Sequence, residues 1–336
     1  MNVTLTVWAV TIVAILVLLA LDFVVTRKPH EVSMREATLW SVFYVGVAVA
    51  FGVLVFIYSG ATFGTQFAAA YLVEKSLSVD NLFVFAIILT QFAVPSRLHQ
   101  RVLLIGIILA LIMRAIFIAV GAAALAYFSF TFVLFGLLLI WTGVQLARHR
   151  NEDPEPSENF AVRFVKRRIP FTDVYHDAKL FVKENGRRVA TPMLIVMIAI
   201  GSTDLLFALD SIPATFGVTQ EPYLVFAANA FALLGLRALY FLLKGLLDRL
   251  VYLSLGLAVI LIFIGLKLIL TFAHEMNQEI PKVPIAVSLG FIVATLAVVT
   301  VASWLKTRNN PDMKAHAGSL KGHTPEENDP QPGDSE

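Results

Sequence analysis

Nine apolar runs of roughly 20 residues divide this chain, at about 3–25, 38–58, 66–92, 102–124, 128–147, 191–214, 223–243, 250–272 and 284–305. A run of that length crosses the hydrocarbon core of a bilayer as a helix. Of the 336 residues, 58% are hydrophobic and only 15% are charged, too few for a soluble globular protein of this size. The expected fold is an all-α polytopic membrane protein with about nine transmembrane helices.

Basic residues give the expected orientation. Connections 26–37, 93–101, 148–190 and 244–249 hold three, two, ten and two Lys or Arg, and the tail from Lys306 holds four. The alternate connections and the N-terminus together hold one, Lys282. The positive-inside rule then puts the N-terminus outside and the C-terminus in the cytoplasm, in the cell (inner) membrane. An odd number of spans requires the termini on opposite sides, in agreement with the charge bias. The first run lacks a basic n-region and an A-x-A-like site, and Arg27 and Lys28 flank it as a stop-transfer signal, so a retained helix is expected rather than a cleaved leader.

Residues 1–60 are read as two N-terminal helices, 66–147 as a three-helix unit and 191–272 as a second such unit. The connection 148–190 is a basic cytoplasmic loop, 284–305 the last span and 306–336 a disordered cytoplasmic tail rich in Pro, Gly, Glu and Asp. Within the loop, Asn185-Gly186 between Phe181-Val182 and Val189 predicts a hairpin turn.

Two of the spans carry paired carboxylates in similar surroundings. One reads Glu74-Lys75-Ser76-Leu77-Ser78-Val79-Asp80-Asn81, the other Asp204-Leu205-Leu206-Phe207-Ala208-Leu209-Asp210-Ser211-Ile212-Pro213. The next span of each unit holds an Arg deep in apolar sequence, Arg114 and Arg237, and the third carries Trp141-Thr142-Gly143-Val144-Gln145-Leu146 against Phe263-Ile264-Gly265-Leu266-Lys267-Leu268. The two three-helix units thus read as copies. With an odd number of spans each, the second enters the membrane from the opposite side. Such an inverted repeat places its substrate site near the midplane, at the repeat interface.

An ionised carboxylate in hydrocarbon costs a few kcal/mol, so four of them predict a site rather than an accident. The candidate ligands are Asp80, Asp210, Glu74 and Asp204, with neutral oxygens from Asn81 and Ser211. No His or Cys lies at membrane depth, and an all-oxygen set suits hard divalent cations such as Mn²⁺, Mg²⁺ or Ca²⁺. Residues six apart on one helix differ by about 120° and about 9 Å, so one straight helix cannot aim both acids of a pair at one point. Either each helix unwinds near Ser76, Ser78 or Pro213, or one acid per pair meets another partner.

The competing reading is structural: the acids pair with Arg114 and Arg237 to fix helix packing, with Lys75 and Lys267 taking one acid each. Both arginines are read as charge-balancing residues. Asp22 is taken as interfacial, and Asn229 and Gln91 as helix–helix hydrogen-bonding groups. His176 with Asp173 and Asp177 could form an ion-sensing site, though a solvated loop face is the commoner use of such a cluster. The chain has no cysteine, which excludes disulfides and thiol redox chemistry. It also lacks a phosphate loop, a nucleophile elbow and a metalloprotease motif, so no enzyme is expected.

At the two acid motifs, and at Gly235-Leu236-Arg237-Ala238-Leu239-Tyr240-Phe241-Leu242-Leu243, the chain resembles the TerC family of integral membrane proteins, in length and layout its TerC/Alx branch. The resemblance covers roughly residues 1–305. It implies metal-ion homeostasis, with Mn²⁺ export as the leading activity, and a family name that comes from tellurium resistance. Many members carry a Glu three positions before the first Asp of the second motif. This chain has Gly201 there, which implies one carboxylate fewer. The resulting expectation is a secondary transporter exporting Mn²⁺ from the cytoplasm, with proton exchange as a driving force and no required cofactor. The alternative is a membrane scaffold or stress-response component that recruits cytoplasmic partners through 148–190. Expected partners are a divalent metal ion and the lipid bilayer, not nucleic acid. A homo-oligomer or a cytoplasmic protein partner stays open.

Overall fold

The computed structural model describes residues 3–25, 33–128, 130–148, 162, 164, 170–172, 174–177, 179–184, 187–243, 251–281 and 283–309; the side chain of Asp80 lies outside that set. Helices follow in the order α1 (Leu5–Val25), α2 (Met34–Ser59), α3 (Ala61–Gln91), α4 (Ser96–Tyr127) and α5 (Thr131–Arg148). A short hairpin, β1 (Phe181–Glu184) and β2 (Arg187–Ala190), precedes α6 (Pro192–Val218), α7 (Pro222–Leu233), α8 (Leu236–Leu243), α9 (Leu253–Met276) and α10 (Ile285–Asn309).

Local signals explain the helix ends. Ser33 caps α2 by accepting a hydrogen bond from the Glu36 N–H at 3.2 Å, within a Ser-x-x-Glu capping sequence. Pro192 and Pro222 open α6 and α7, where their missing N–H costs nothing. Gly60, with φ of 94°, separates α2 from α3. Gly235, with φ of 78°, separates α7 from α8, and a Cβ there would lie 2.7 Å from the Tyr44 ring. Both sites need the conformational freedom of glycine.

Every apolar run lies on helix, but the run at 223–243 is not one straight span. It bends by 40° at Leu234–Gly235. Among the described residues, seven single helices are long and apolar enough to cross a membrane, or eight spans if α7 and α8 cross together. Helix α3, with Glu74, Lys75 and Asp80 at its middle, is not in that set. The protein is therefore a predominantly helical, multi-pass membrane protein. Of the two alternatives for the acid pairs, unwinding does not occur: α3 and α6 continue through both motifs, and Pro213 sits inside α6.

The hairpin has the predicted position, with Phe181 opposite Ala190 and Glu184 opposite Arg187. Residues 185–186, which would form its turn, fall outside the described set.

Packing brings the first helix of each three-helix unit against the second helix of the other, α3 on α7 and α6 on α4. Like helices also meet, α3 with α6 and α5 with α9. The α5–α9 seam is tight. A Cβ on Gly143 would lie 2.8 Å from both the Ala258 carbonyl oxygen and Ile262 Cγ1. A Cβ on Gly265 would lie 2.6 Å from the Gly136 oxygen and 2.9 Å from Ile140 Cγ1. Adding 122 to 136, 140 and 143 gives 258, 262 and 265, so the two contacts use corresponding positions with the helices exchanged. Lipid offers no hydrophobic drive for helix association, and small residues that let backbones touch supply it.

A buried acid–guanidinium cluster as the candidate functional site

The site forms where α3, α4 and α6 meet. On α3, positions 74, 78 and 81 recur at helical spacing, so Glu74, Ser78 and Asn81 share one face. Positions 204, 211 and 215 do the same on α6, placing Asp204, Ser211 and Thr215 together. Arg114 of α4 projects between the two faces. All seven side chains are buried, with Arg114 only 1% exposed.

One guanidinium holds the cluster together. Arg114 Nη1 donates to Glu74 Oε1, and Nη2 donates to Asp204 Oδ1 at 3.4 Å. With the Asn81 amide set so that its nitrogen donates to the Leu77 carbonyl at 3.1 Å, its oxygen accepts from Arg114 Nη2 at 2.8 Å. Thr215 Oγ1 lies 3.3 Å from Glu74 Oε2 and donates to the Ser211 carbonyl at 2.8 Å. Asp210, 9% exposed, makes no hydrogen bond to Arg114 but lies within electrostatic range of it and of Glu74. Three described carboxylates thus face a single guanidinium.

Several oxygens in this region are spare. Asp204 Oδ2, Ser78 Oγ and Ser211 Oγ are buried and have no hydrogen-bond partner among the described residues. Unsatisfied buried polar atoms are uncommon and costly, so each asks for a reason. Even so, no three acidic or imidazole side chains among the described residues stand close enough together to hold a metal ion. Oxygens of Glu74 and Asp204 converge on Arg114 instead.

Arg237 does not join this cluster, contrary to the sequence expectation. Its Nη2 donates to Asp22 Oδ1 at 2.7 Å and its Nε lies 3.2 Å from both Asp22 oxygens. Tyr44 Oη adds a hydrogen bond to Asp22 at 3.1 Å. Asp22, taken as interfacial, is 4% exposed and ties α1 to α2 and α8. The break at Gly235 starts a new helix just before Arg237, which reaches α1 from there.

Lys75 donates to the Ala232 carbonyl at 3.0 Å, close to the end of α7, rather than to a described carboxylate. Lys267 is buried without a described ion pair. Asn229 is buried with neither amide atom bonded among the described residues, so it does not staple two helices as expected. Asp173 is outside the described set, and Asp177 lies 3.9 Å from Arg97 on an exposed surface. Gly201 packs under Leu109, whose Cδ2 would lie 2.8 Å from an added Cβ.

Two contributors escaped the sequence reading. Asp22 is a lone acid at a helix end, and nothing local names its partner 215 positions away. Thr215 carried a usable signal: it continues the spacing of Asp204 and Ser211. Thr215→Val should cost about 1 kcal/mol, the worth of a typical hydrogen bond, in thermal unfolding of the detergent-solubilised protein.

No solved structure matches this chain. It is 45% identical over 316 residues to an uncharacterized membrane protein of Mycobacterium tuberculosis H37Rv, covering 90% of this chain and 80% of that one. An uncharacterized membrane protein of Myxococcus xanthus is 42% identical over 311 residues, covering 92% and 95%. Alx of Escherichia coli K12, named for a proposed role as a membrane-bound redox modulator, is 36% identical over 315 residues, covering 90% and 96%. The model of the integral membrane protein TerC family matches residues 59–311, which include all three helices of the cluster. The chain belongs to the TerC family of integral membrane proteins.

Proposed function

We propose that this protein is a secondary transporter that exports a hard divalent cation from the cytoplasm, Mn²⁺ first among the candidates, through the cluster around Arg114. The observation that carries this reading is the charge inventory: Glu74, Asp204 and Asp210 are buried at membrane depth against one guanidinium. A cationic cargo offsets the surplus, whereas a tellurite oxyanion would add to it. Carboxylate and hydroxyl oxygens are the donors that hard cations take. The preference for Mn²⁺ comes from the family resemblance, since ligand type alone does not rank the hard ions.

The crossed packing of α3 with α7 and α6 with α4, and the reciprocal glycine contacts of α5 and α9, support an inverted repeat of 66–147 and 191–272. Alternating access is then a movement of one unit against the other around the cluster. Counting α3 and the bent α7–α8 as spans gives nine, which fits the N-terminus outside and the C-terminus in the cytoplasm of the inner membrane. Alx relatives are named for redox modulation; this chain, with no cysteine, cannot act by thiol exchange.

The test is manganese content in Mn²⁺-challenged bacteria lacking their own exporters. Wild type should lower it, and Asp204→Asn and Asp210→Asn should leave it at the level of cells without the protein. Equal manganese in cells carrying the three proteins would sink the reading.

A further inference from the structure

The oxygens that a divalent cation would need are not waiting in an open cavity. Glu74 Oε1, Asp204 Oδ1 and the Asn81 amide oxygen all point at the guanidinium of Arg114, the last two at 3.4 and 2.8 Å from Nη2. A guanidinium and a metal ion compete for these oxygens, because both are cations drawn to the same buried acceptors. The remaining atoms mark where strain or a second position lies: among the described residues, Asp204 Oδ2 and Ser211 Oγ are buried and unbonded, as is Arg114 Nε.

We propose that Arg114 is a tethered competitor for the cargo, occupying the cation seat in the empty carrier and leaving Glu74 and Asp204 when a divalent ion arrives. This rests on the transporter reading above and deepens it by giving Arg114 a role in selectivity. Without a resident cation, three buried carboxylates would have to pass through the bilayer midplane unbalanced each time the empty carrier reorients, at a cost of several kcal/mol. With Arg114 seated, the empty form carries its three carboxylates against one guanidinium instead of none, and a divalent ion offsets the two charges that remain. Asp210 gives the displaced guanidinium somewhere to go, since it is within electrostatic range of Arg114 and not bonded to it. A monovalent ion has no charge advantage over a guanidinium already in place. A divalent ion has, so the tether rejects Na⁺ and K⁺ without a size filter.

The experiment is equilibrium Mn²⁺ binding to the purified full chain, read from the free-ion electron paramagnetic resonance signal, beside Mn²⁺ flux in proteoliposomes. Arg114→Met should bind Mn²⁺ about tenfold tighter than wild type, within the usual range for coupled sites, and should newly accept competition from Na⁺. Its flux should fall, because the empty carrier no longer returns. Arg114→Lys keeps the charge but cannot bridge two acids with one planar fork, so it should bind with intermediate affinity. If Arg114→Met does not fold, Arg114→Met with Glu74→Gln, which removes both partners of the pair, takes its place with the same expectation relative to Glu74→Gln alone. Affinity equal to or below the reference in these variants, with wild type binding Mn²⁺, overturns the tether and leaves the transporter reading standing. Absence of saturable binding and flux in wild type and Arg114→Met alike overturns both.

Discussion

Asp22→Ala should strip about 3–5 kcal/mol from the folded protein, the usual cost of leaving one member of a buried ion pair without the other. Arg237 is 2% exposed and makes its three hydrogen bonds to the Asp22 carboxylate alone. Removing that carboxylate strands a guanidinium that cannot shed its proton. The remedy follows from the same physics. Arg237→Met in the Asp22→Leu background replaces the pair with apolar side chains of similar length and should recover most of the loss. Tyr44→Phe, which deletes only the supporting hydrogen bond of 3.1 Å, should cost about 1 kcal/mol. Thermal unfolding of the detergent-solubilised variants separates the three cases. A small effect for Asp22→Ala, or no recovery in the double variant, would show that the pair does not anchor α1.

That pair also explains an asymmetry between the two units. Arg114 and Arg237 occupy matching places in sequence, yet among the described residues only Arg114 meets the motif acids. The difference comes from outside residues 66–147 and 191–272. Asp22 on α1 and Tyr44 on α2 lie before residue 59, where the family match begins, and together they hold Arg237. A second guanidinium kept away from Glu74, Asp204 and Asp210 leaves the cluster with its surplus of negative charge. On the proposed reading, the N-terminal helices thus set the charge of a site they do not touch.

How much of this the sequence announced depends on whether the cause is local. A bilayer demands about 20 apolar residues per crossing, so each helical run is visible one at a time. Charged groups in such runs stand out against their neighbours, which is why Glu74, Arg114, Asp204 and Asp210 were found. Asn185-Gly186 between two short apolar stretches names its hairpin by turn chemistry. The break at Gly235 is different: one glycine in an apolar run says nothing until the backbone takes a positive φ. The acid spacing is likewise too local a guide. Two acids on one helix cannot converge, and the helix does not bend to make them. Acids from α3 and α6 converge instead on a guanidinium from α4, a three-helix solution that no single segment encodes.

The seam between α5 and α9 carries the other large expected effect. Gly265→Ala and Gly136→Ala should each destabilise the protein by about 1–3 kcal/mol, as overpacking does, despite the better helix propensity of alanine. The new methyl on Gly265 would meet the Gly136 carbonyl at 2.6 Å, and that on Gly136 the Gly265 carbonyl at 2.7 Å. Neither obstacle is a side chain that can rotate away; the helices must separate. Gly46→Ala and Gly290→Ala, on α2 and α10, are the controls, since nothing lies within 4 Å of a Cβ at either position. They should be neutral or gain up to about 1 kcal/mol. The reciprocity of the contact makes a sharper demand. Once one methyl has pushed α5 and α9 apart, the second finds the space already open, so the double variant should lose less than the sum of the singles. Additive losses in thermal unfolding would mean that the two glycines act on separate contacts, and would remove the seam as support for a two-fold relation between the units.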